Sequence, residues 1–322
     1  MRNFIGFCGL KLIALLFLVN PPVADCQPFS AQKAGFSIRV NDIVNPYEIM
    51  SIFVLPNEKI KIEVHANGST DEYRLFSPEE KLIAAASRHW DWRAPAKPGR
   101  YVLKIATSDQ RRAMSLNVFV MVPFDRINGE YLNGFQIGKY PQIAFKGLAI
   151  YKPPRGFVEV TSQNEDTFIS PHFKLKQFQC KQDGGYPNYL VLKEKLLLKL
   201  ELILEKVNEK GHRSNTFHVM SGYRTPYYNE AIGNVKYSRH IYGGAVDIFI
   251  DENPQDNLMD DLNQDGKIDY RDAAVLYRII DELYGKKFYE PFLGGLARYK
   301  KTSNHGPFVH VDVRGWRTRW GD

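Results

Sequence analysis

Short apolar segments that alternate with polar residues dominate the sequence between residues 36 and 123, and this period-two pattern constrains the fold most strongly. The segments include FSIRV, KIKIEVHA, GRYVLKIAT and MSLNVFVMV, and stretches such as ANGST and APAKPG separate them with turn-forming residues. Because successive side chains of a strand point to opposite faces, such alternation buries one face and leaves the other in water. The pattern predicts a small antiparallel β-sandwich over residues 27–125.

The end of this region, WRAPAKPGRYVLKI, resembles part of an immunoglobulin-like module, in which a Pro-Gly turn leads into a strand with an inward-pointing tyrosine. We therefore expect an all-β, immunoglobulin-like sandwich domain, and modules of this kind more often position or bind than catalyse. Residues 126–172 are rich in Gly, Pro and aromatic residues and have no long periodic segment, so we interpret them as a connector.

The second half of the chain mixes helical and strand patterns. Residues 188–211 have the pattern of an amphipathic helix, with lysines and glutamates opposite an apolar face that consists of Leu192, Leu196, Leu200, Ile203 and Val207. The segments TFHVMSGYRTP, AVDIFID and FVHVDVRG are predicted strands, and AAVLYRIIDELYG is a predicted helix. These elements predict an α+β domain over residues 173–322.

Residues 1–26 have the features of a secretory signal peptide. The apolar stretch over residues 12–19 follows Lys11 and is too short to span a bilayer, and cleavage is expected near Ala24 or Cys26. The surrounding PVADC matches a lipoprotein processing site poorly, so a lipid anchor at Cys26 is not expected. No later segment is apolar enough to span a membrane, and the protein is predicted to be exported, periplasmic or cell-wall associated.

Cysteine content and charge limit the function classes further. Two of the three cysteines, Cys8 and Cys26, belong to the predicted signal peptide or its edge, so Cys180 is expected to be alone and no disulfide framework is predicted. The formal net charge of +7 suits an acidic polymer such as cell wall or an anionic membrane face, or is simply ordinary solubility charge. No dense run of Lys and Arg indicates nucleic-acid binding.

A carboxylate lies in the otherwise apolar strand AVDIFI, where an unpaired Asp247 would be costly to bury. His240 precedes it by seven residues, and His310 lies on the last predicted strand. Two imidazoles and one carboxylate around an open fourth position are the ligands of a catalytic zinc ion. The alternatives are unrelated surface or core histidines and an aspartate that accepts hydrogen bonds from backbone amides. Gly243 and Gly244 allow a tight turn between His240 and the strand.

The motifs SGYRTPYYNEAIG, SRHIYGGAVDI and GPFVHVDVRG resemble the successive motifs of the zinc D-Ala-D-Ala peptidase family, which includes bacterial carboxypeptidases, dipeptidases and murein endopeptidases. The resemblance covers about 100 residues, from Val219 to Trp320. It implies that His240, Asp247 and His310 are the zinc ligands.

The resemblance also implies roles for residues near the metal. Arg224 matches a family arginine that holds a substrate carboxylate or the developing oxyanion, for which the planar guanidinium is suited, whereas the alternative is a structural ion pair. The neighbouring Tyr223 is also predicted to bind substrate. Ser238 matches a position near the substrate and is predicted to donate a hydrogen bond, or else to cap the turn.

The identity of the general base is where the sequence departs from the family. Many members have Glu or Asp three residues before the last histidine, or His two before it, but this chain has Pro307 and Phe308 there. Asp312 is the first candidate because residues two apart on a strand face the same side, although it also suits the role of orienting His310. His305, in TSNHGP, is the second candidate.

A second ion site is predicted in the segment DLNQDGKIDYRD, which fits the template of an EF-hand calcium loop and resembles dockerin-type loops. Gly266 would make the sharp turn and Ile268 would point into the core. Asp replaces Glu at the last position, which suggests weak binding suited to millimolar extracellular calcium, and the alternative is a solvated acidic loop. The predicted ligands are Asp261, Asn263, Asp265, the Lys267 carbonyl group, Asp269 and Asp272.

Together these features predict an exported zinc metallopeptidase that hydrolyses peptide bonds in peptidoglycan stem peptides or their cross-links. The VHVD motif and the following WRTRW resemble the murein endopeptidase branch most. The alternatives are a D-Ala-D-Ala carboxypeptidase, which needs a closed pocket for a free carboxylate, and a non-catalytic cell-wall-binding protein that retains the zinc fold.

Overall fold

The structure is a computed structural model that describes residues 28–321, apart from residues 67, 69, 78–81 and 85–86, with residues 82–84 described by their backbone. The predicted signal peptide and Cys26 lie outside the described residues. In the described part of the chain, no helix is both long and apolar enough to span a bilayer. Cys180 is buried and makes no disulfide bond.

Two sheets form the N-terminal part of the structure. Four strands pair in the order β2-β1-β4-β7 and five in the order β3-β9-β8-β5-β6, and all pairs are antiparallel except β3 with β9. The strands are β1 (Lys33–Val40), β2 (Ile43–Tyr47), β3 (Ile49–Val54), β4 (Lys59–His65), β5 (Tyr73–Phe76), β6 (Leu82–Ala84), β7 (His89–Arg93), β8 (Gly99–Thr107) and β9 (Ala113–Val120).

The predicted alternation is visible in β1 and β4, whose residues are buried at every second position. Ile38 and Ile62 from the first sheet share one hydrophobic core with Leu103 and Leu116 from the second, and all four are fully buried. The two layers are held together mainly by burial of these apolar faces. That the domain is immunoglobulin-like stays a prediction.

The segment that follows is built from short strands and turns rather than one extended connector. Strand β13 pairs with both β10 and β16, and it thereby ties the segment to the C-terminal part. The strands are β10 (Val122–Pro123), β11 (Tyr131–Leu132), β12 (Phe135–Gln136), β13 (Gly156–Val160), β14 (Phe168–Ser170), β15 (Phe173–Lys174) and β16 (Asn188–Leu190).

Helix α1 spans Glu194–Glu209, which is shorter than predicted because Asn188–Leu190 form strand β16. Its predicted apolar face is buried, but Lys199 and Glu201 are fully buried as well, so the expectation of an opposite charged face is wrong for these two. The reason is that α1 is covered on more than one side, by β2 and β3 and by the later helix α3. Lys199 donates to the backbone carbonyl of Asp312 (2.7 Å), and Glu201 bonds His172.

The C-terminal sheet has five strands in the order β17-β18-β20-β19-β21, antiparallel except for β19 with β21. It contains the three predicted strands, and every residue of β18 and β20 is buried. The elements are β17 (His218–Ser221), α2 (Pro226–Ala231), β18 (Ala245–Phe249), α3 (Tyr270–Asp281), β19 (Gly295–Tyr299), β20 (Phe308–Asp312) and β21 (Thr318–Trp320).

Candidate metal centre

Strand register brings the predicted zinc ligands together. Asp247 on β18 lies opposite His310 on β20, and His240 comes from a 3₁₀ turn at Arg239–Tyr242 just before β18. Gly243 ends that turn with φ +64°, and a Cβ atom there would lie 2.3 Å from the Val191 carbonyl oxygen. Only glycine therefore allows the chain to reverse so closely and place His240 above the sheet.

The three donor atoms surround one point. His240 Nε2 lies 3.3 Å from His310 Nδ1 and 3.3 Å from Asp247 Oδ1, and His310 Nδ1 lies 2.8 Å from the same Oδ1. A tetrahedral zinc site with bonds of about 2.0–2.1 Å has ligands about 3.3 Å apart. The donor set and its spacing therefore fit a zinc ion, and within the described residues it is the one group of His, Cys, Asp and Glu that converges in this way.

Hydrogen bonds orient both imidazoles towards this point. His240 donates from Nδ1 to the Gly222 carbonyl oxygen (2.7 Å), which leaves the Nε2 lone pair facing the other ligands. His310 Nε2 lies 3.4 Å from Asp312 Oδ2, so that Nδ1 faces Asp247. Such outer hydrogen bonds fix the tautomer and the ring orientation of metal-binding histidines.

Two of the three predicted ligands, His240 and Asp247, have pKa values shifted in the direction that favours metal binding. Burial lowers the pKa of His240. For Asp247, burial favours a higher pKa, but the neighbouring His240 and His310 outweigh it and hold the pKa well below its usual range. For His310, burial favours a lower pKa, but hydrogen bonds to Asp247 and Asp312 outweigh it, so the pKa is raised. A proton on His310 therefore competes with a metal ion for this site.

Arg224 lies next to the three ligands and lines the same cleft. Its Nη2 donates to Asp247 Oδ2 (2.6 Å) and its Nε donates to Ser221 Oγ (2.8 Å). The structural ion pair is therefore present, and it orients the second oxygen of Asp247. Nη1 makes no hydrogen bond within the described part of the chain, so a substrate role for Arg224 stays a prediction.

The surroundings of Asp312 favour the role of orienting His310 over that of general base. Asp312 is fully buried, and its carboxylate accepts hydrogen bonds from the backbone N–H of Gly295 (2.8 Å) and of Arg314 (3.0 Å). The Arg314 guanidinium also binds it through Nε (2.9 Å) and Nη2 (2.5 Å). Burial favours a higher pKa, but His310 and Arg314 outweigh it and lower the pKa strongly. Asp312 is thus placed to orient His310, the other role considered for it.

The remaining predicted residues divide between cleft and core. His305 and Ser238 line the cleft, and Ser238 makes no side-chain capping bond to the turn that it precedes. His305 Nδ1 bonds the Gly306 carbonyl oxygen (2.8 Å). Tyr223 is 2% exposed and its hydroxyl group bonds that of Tyr140 (2.8 Å), so the structure directs it into the core rather than towards a substrate.

The cleft over the ligands has a volume of about 800 Å³ and includes residues that sequence reasoning missed. Trp320 lies with its ring centroid 5.2 Å from that of His310, and its indole N–H donates to the Tyr299 hydroxyl group (2.7 Å). Arg239 donates to the Ile150 carbonyl oxygen (2.5 Å) and lies over Tyr151, so it ties residues 149–151 to the site. Both residues could have been predicted, because Arg239 lies in the motif SRHIYGGAVDI and Trp320 lies in WRTRW.

The predicted calcium loop has the turn geometry of its template, but the carboxylate groups of its predicted ligands do not surround a common point. Asp261 accepts hydrogen bonds from the N–H groups of Asp265 (3.2 Å) and Gly266 (2.7 Å). Asp272 is fully buried and accepts from the N–H group of Asp269 (2.8 Å) at the start of α3. Ile268 is 40% exposed, so the expectation that it points into the core is wrong, because its side chain lies at the surface ahead of α3. Asn263 and Lys267 lie within the same turn, whose carboxylates stay apart.

Comparisons with known proteins bear on the C-terminal half. A family model described as Peptidase M15 matches residues 171–272, which confirms the resemblance. The matched region contains Arg224, His240 and Asp247 and ends before His310. No curated protein matches the chain. Among solved structures, the fibronectin(III)-like modules of Clostridium thermocellum CbhA are similar, with 19% identity over 22% of this chain and 87% of that chain and a TM-score of 0.18.

Proposed function

We propose that the protein is a zinc endopeptidase that cuts peptide cross-links in peptidoglycan, because residues 171–272 match the family model described as Peptidase M15. The proposal rests on one observation. His240 Nε2, His310 Nδ1 and Asp247 Oδ1 lie close enough together to bind a single metal ion, and the three residues line a cleft.

His240, Asp247 and His310 would hold the ion. When bound, zinc supplies Lewis acidity that activates water and polarises a carbonyl group at neutral pH. Arg224 keeps Asp247 in place with one N–H group and can donate from Nη1 to a substrate oxygen in the cleft. Ser238 offers its hydroxyl group to the same cleft, where it is proposed to hold a substrate amide.

We propose His305 as the residue that carries the proton to the leaving amine. With Asp312 enclosed by Arg314 and backbone amides, His305 is the remaining candidate base that borders the cleft. Its Nδ1–H group donates to Gly306, which leaves Nε2 to accept a proton. A terminal carboxypeptidase is less well supported, since the cleft of about 800 Å³ is lined from several segments rather than closed around one end group.

Digestion of purified murein sacculi tests the proposal. Wild type is expected to release cross-linked fragments as separate stem peptides, His310→Ala to release none, and His305→Ala to act more slowly while it retains zinc. Free D-Ala as the product would instead indicate a carboxypeptidase. No product from the zinc-loaded wild type would indicate a wall-binding protein, an alternative that the absence of an acidic residue at Pro307 and Phe308 favours.

Two further proposals concern the context of the enzyme. We propose export through the N-terminal segment, because the substrate lies outside the cytoplasm, and cell fractionation tests this. We also propose that residues 261–272 bind calcium weakly, with Asp265 released from its ion pair with Arg271 (2.8 Å). A thermal shift with millimolar CaCl₂ that Asp261→Asn removes would support this second proposal, and no shift would contradict it.

A further inference from the structure

One side of the cleft carries a group of apolar side chains, which we call the apolar lip: the exposed Ile143, Phe145, Ile232 and Val235 and the half-buried Tyr237. Ile143 is 80% exposed and Val235 is 70% exposed, and Ile232 and Phe145 are also exposed. Single exposed apolar residues are common, but several in one contiguous patch mark an interaction surface. The lip is therefore a candidate binding surface.

The lip is held in place by contacts between two distant segments. The Tyr237 hydroxyl group donates to the Ile143 carbonyl oxygen (3.1 Å), and the rings of Phe145 and Tyr237 lie 5.2 Å apart. Phe145 also packs edge-on against buried Tyr151 (5.4 Å). Lys146 makes the sharp turn beside Phe145 with φ +51°, an uncommon conformation for a non-glycine residue. The lip is thus a built surface rather than a loose loop.

Four members of the lip, Phe145, Ile232, Val235 and Tyr237, line the same cleft as the three metal ligands. A substrate whose scissile amide reaches the ligands must place an adjoining part against this side of the cleft. The ammonium groups of Lys146 and Lys236 lie 5.4 and 5.8 Å from the ring centroids of Phe145 and Tyr237. The lip therefore combines aromatic faces with positive charge.

We propose that the apolar lip binds the sugar rings of the glycan strand to which the stem peptides are attached, and this rests on the proposed function. Sugar rings present C–H groups on their faces, which stack on aromatic rings, and hydroxyl and acetamido groups at their edges, whose oxygens accept hydrogen bonds from lysine. A lipid surface fits less well because the lip belongs to the wall of a cleft. The enzyme therefore acts preferentially on glycan-linked peptides.

Two substrates separate this role from a purely peptide-binding one: sacculi, and the same cross-linked peptides freed from glycan by an amidase. Phe145→Ala/Val235→Ser should lower kcat/KM on sacculi about tenfold, the effect expected for loss of aromatic stacking, and by less than about twofold on free peptides. The matched control, Phe288→Ala/Val44→Ser, changes exposed residues away from the cleft and should alter neither. Equal losses on both substrates, or none on sacculi, would overturn the proposal.

A binding measurement keeps this test separate from failure of the proposed function. With His310→Ala as the background, co-sedimentation with sacculi should weaken about tenfold when the lip variant is added, and should not change with the control pair. If wild type cleaves neither substrate, the proposed function fails while this comparison still tests the lip. Sacculus binding that the lip variant leaves unchanged, or lip-dependent binding to phosphatidylglycerol vesicles instead of sacculi, would contradict the inference.

Discussion

The N-terminal sheets and the C-terminal sheet bury very different side chains. Between β1 and β9 the buried side chains are apolar, as Ile38 and Ile62 illustrate, or polar and uncharged, as are Asn45, Ser51, Thr107 and Asn117. In the C-terminal sheet, buried strands carry Asp247, His310 and Asp312, each paired with charged or polar partners. Burying charged side chains costs folding free energy even when they are paired, and among the described residues of these two regions only the C-terminal sheet carries this cost. The arrangement of these charges therefore indicates a functional site.

The largest expected effect follows from removal of a ligand. His240→Ala should reduce activity on murein by about 10³-fold or more, because zinc contributes several kcal/mol to the transition state. The variant should also lose bound zinc and keep its far-ultraviolet circular dichroism spectrum. Full activity in this variant would contradict the contrast between the two regions, because the buried charges of the C-terminal sheet would then have only a structural role.

The opposite behaviour is expected in the N-terminal sheets. Ile62→Ala removes a fully buried side chain and should lower the free energy of unfolding by about 2–5 kcal/mol, because a cavity is left in a close-packed core. Chemical denaturation measures this loss. Zinc content and the activity of the folded fraction should match wild type, and a loss of zinc would show that the two regions are not independent.

Asp312→Asn sharpens the comparison within the C-terminal sheet. The change removes the charge that orients His310 and pairs with Arg314, so zinc affinity should fall about 10–100-fold, as for other outer-shell carboxylates. Competition with a chelator measures the affinity. The pH profile of cleavage should keep its shape, whereas loss of its basic or acidic limb would restore Asp312 as a general base.

A more gradual effect, spread over several pH units, concerns Lys199, whose pKa burial lowers to about 7. The unfolded chain holds this proton up to the ordinary lysine pKa of about 10.4, so between about pH 7 and 10 folding is linked to proton release and stability rises with pH. Lys199→Met should remove up to about 1.4 kcal/mol per pH unit of that rise. Denaturation at pH 7.5 and 9.5 measures it, and an unchanged slope would contradict a buried, titrating lysine.

The metal ligands could be predicted from the sequence because short local elements bring them together. Asp247 and His310 pair on neighbouring strands, and the turn that ends at Gly243 places His240 beside them. The alternation of β1 and β4 likewise follows directly from side-chain periodicity. The enclosure of Asp312 could not be predicted, because one of its partners lies elsewhere along the chain. The backbone amide of Gly295, which donates to Asp312, belongs to another strand, and no local sequence pattern predicts this contact.

The same limit applies to the cleft wall. Residues 143–151 have no periodicity, yet Phe145 and Tyr151 reach the cleft because Tyr237 and Arg239 bind the backbone of this segment. The predicted substrate-binding role of Tyr223 lacks support for a different reason. It adjoins Arg224 in the motif, but neighbouring residues of an extended chain point in opposite directions, and its hydroxyl group finds Tyr140 in the core.

Metal analysis of the purified protein tests the central claim most directly. Elemental analysis after exhaustive dialysis should give about one zinc ion per chain for wild type and for the control Asp281→Asn, which removes a carboxylate that binds Arg319 and does not line the cleft. Asp247→Asn should hold almost none. A wild-type protein that fails to retain zinc, or an Asp247→Asn variant that retains as much as the control, would contradict the account.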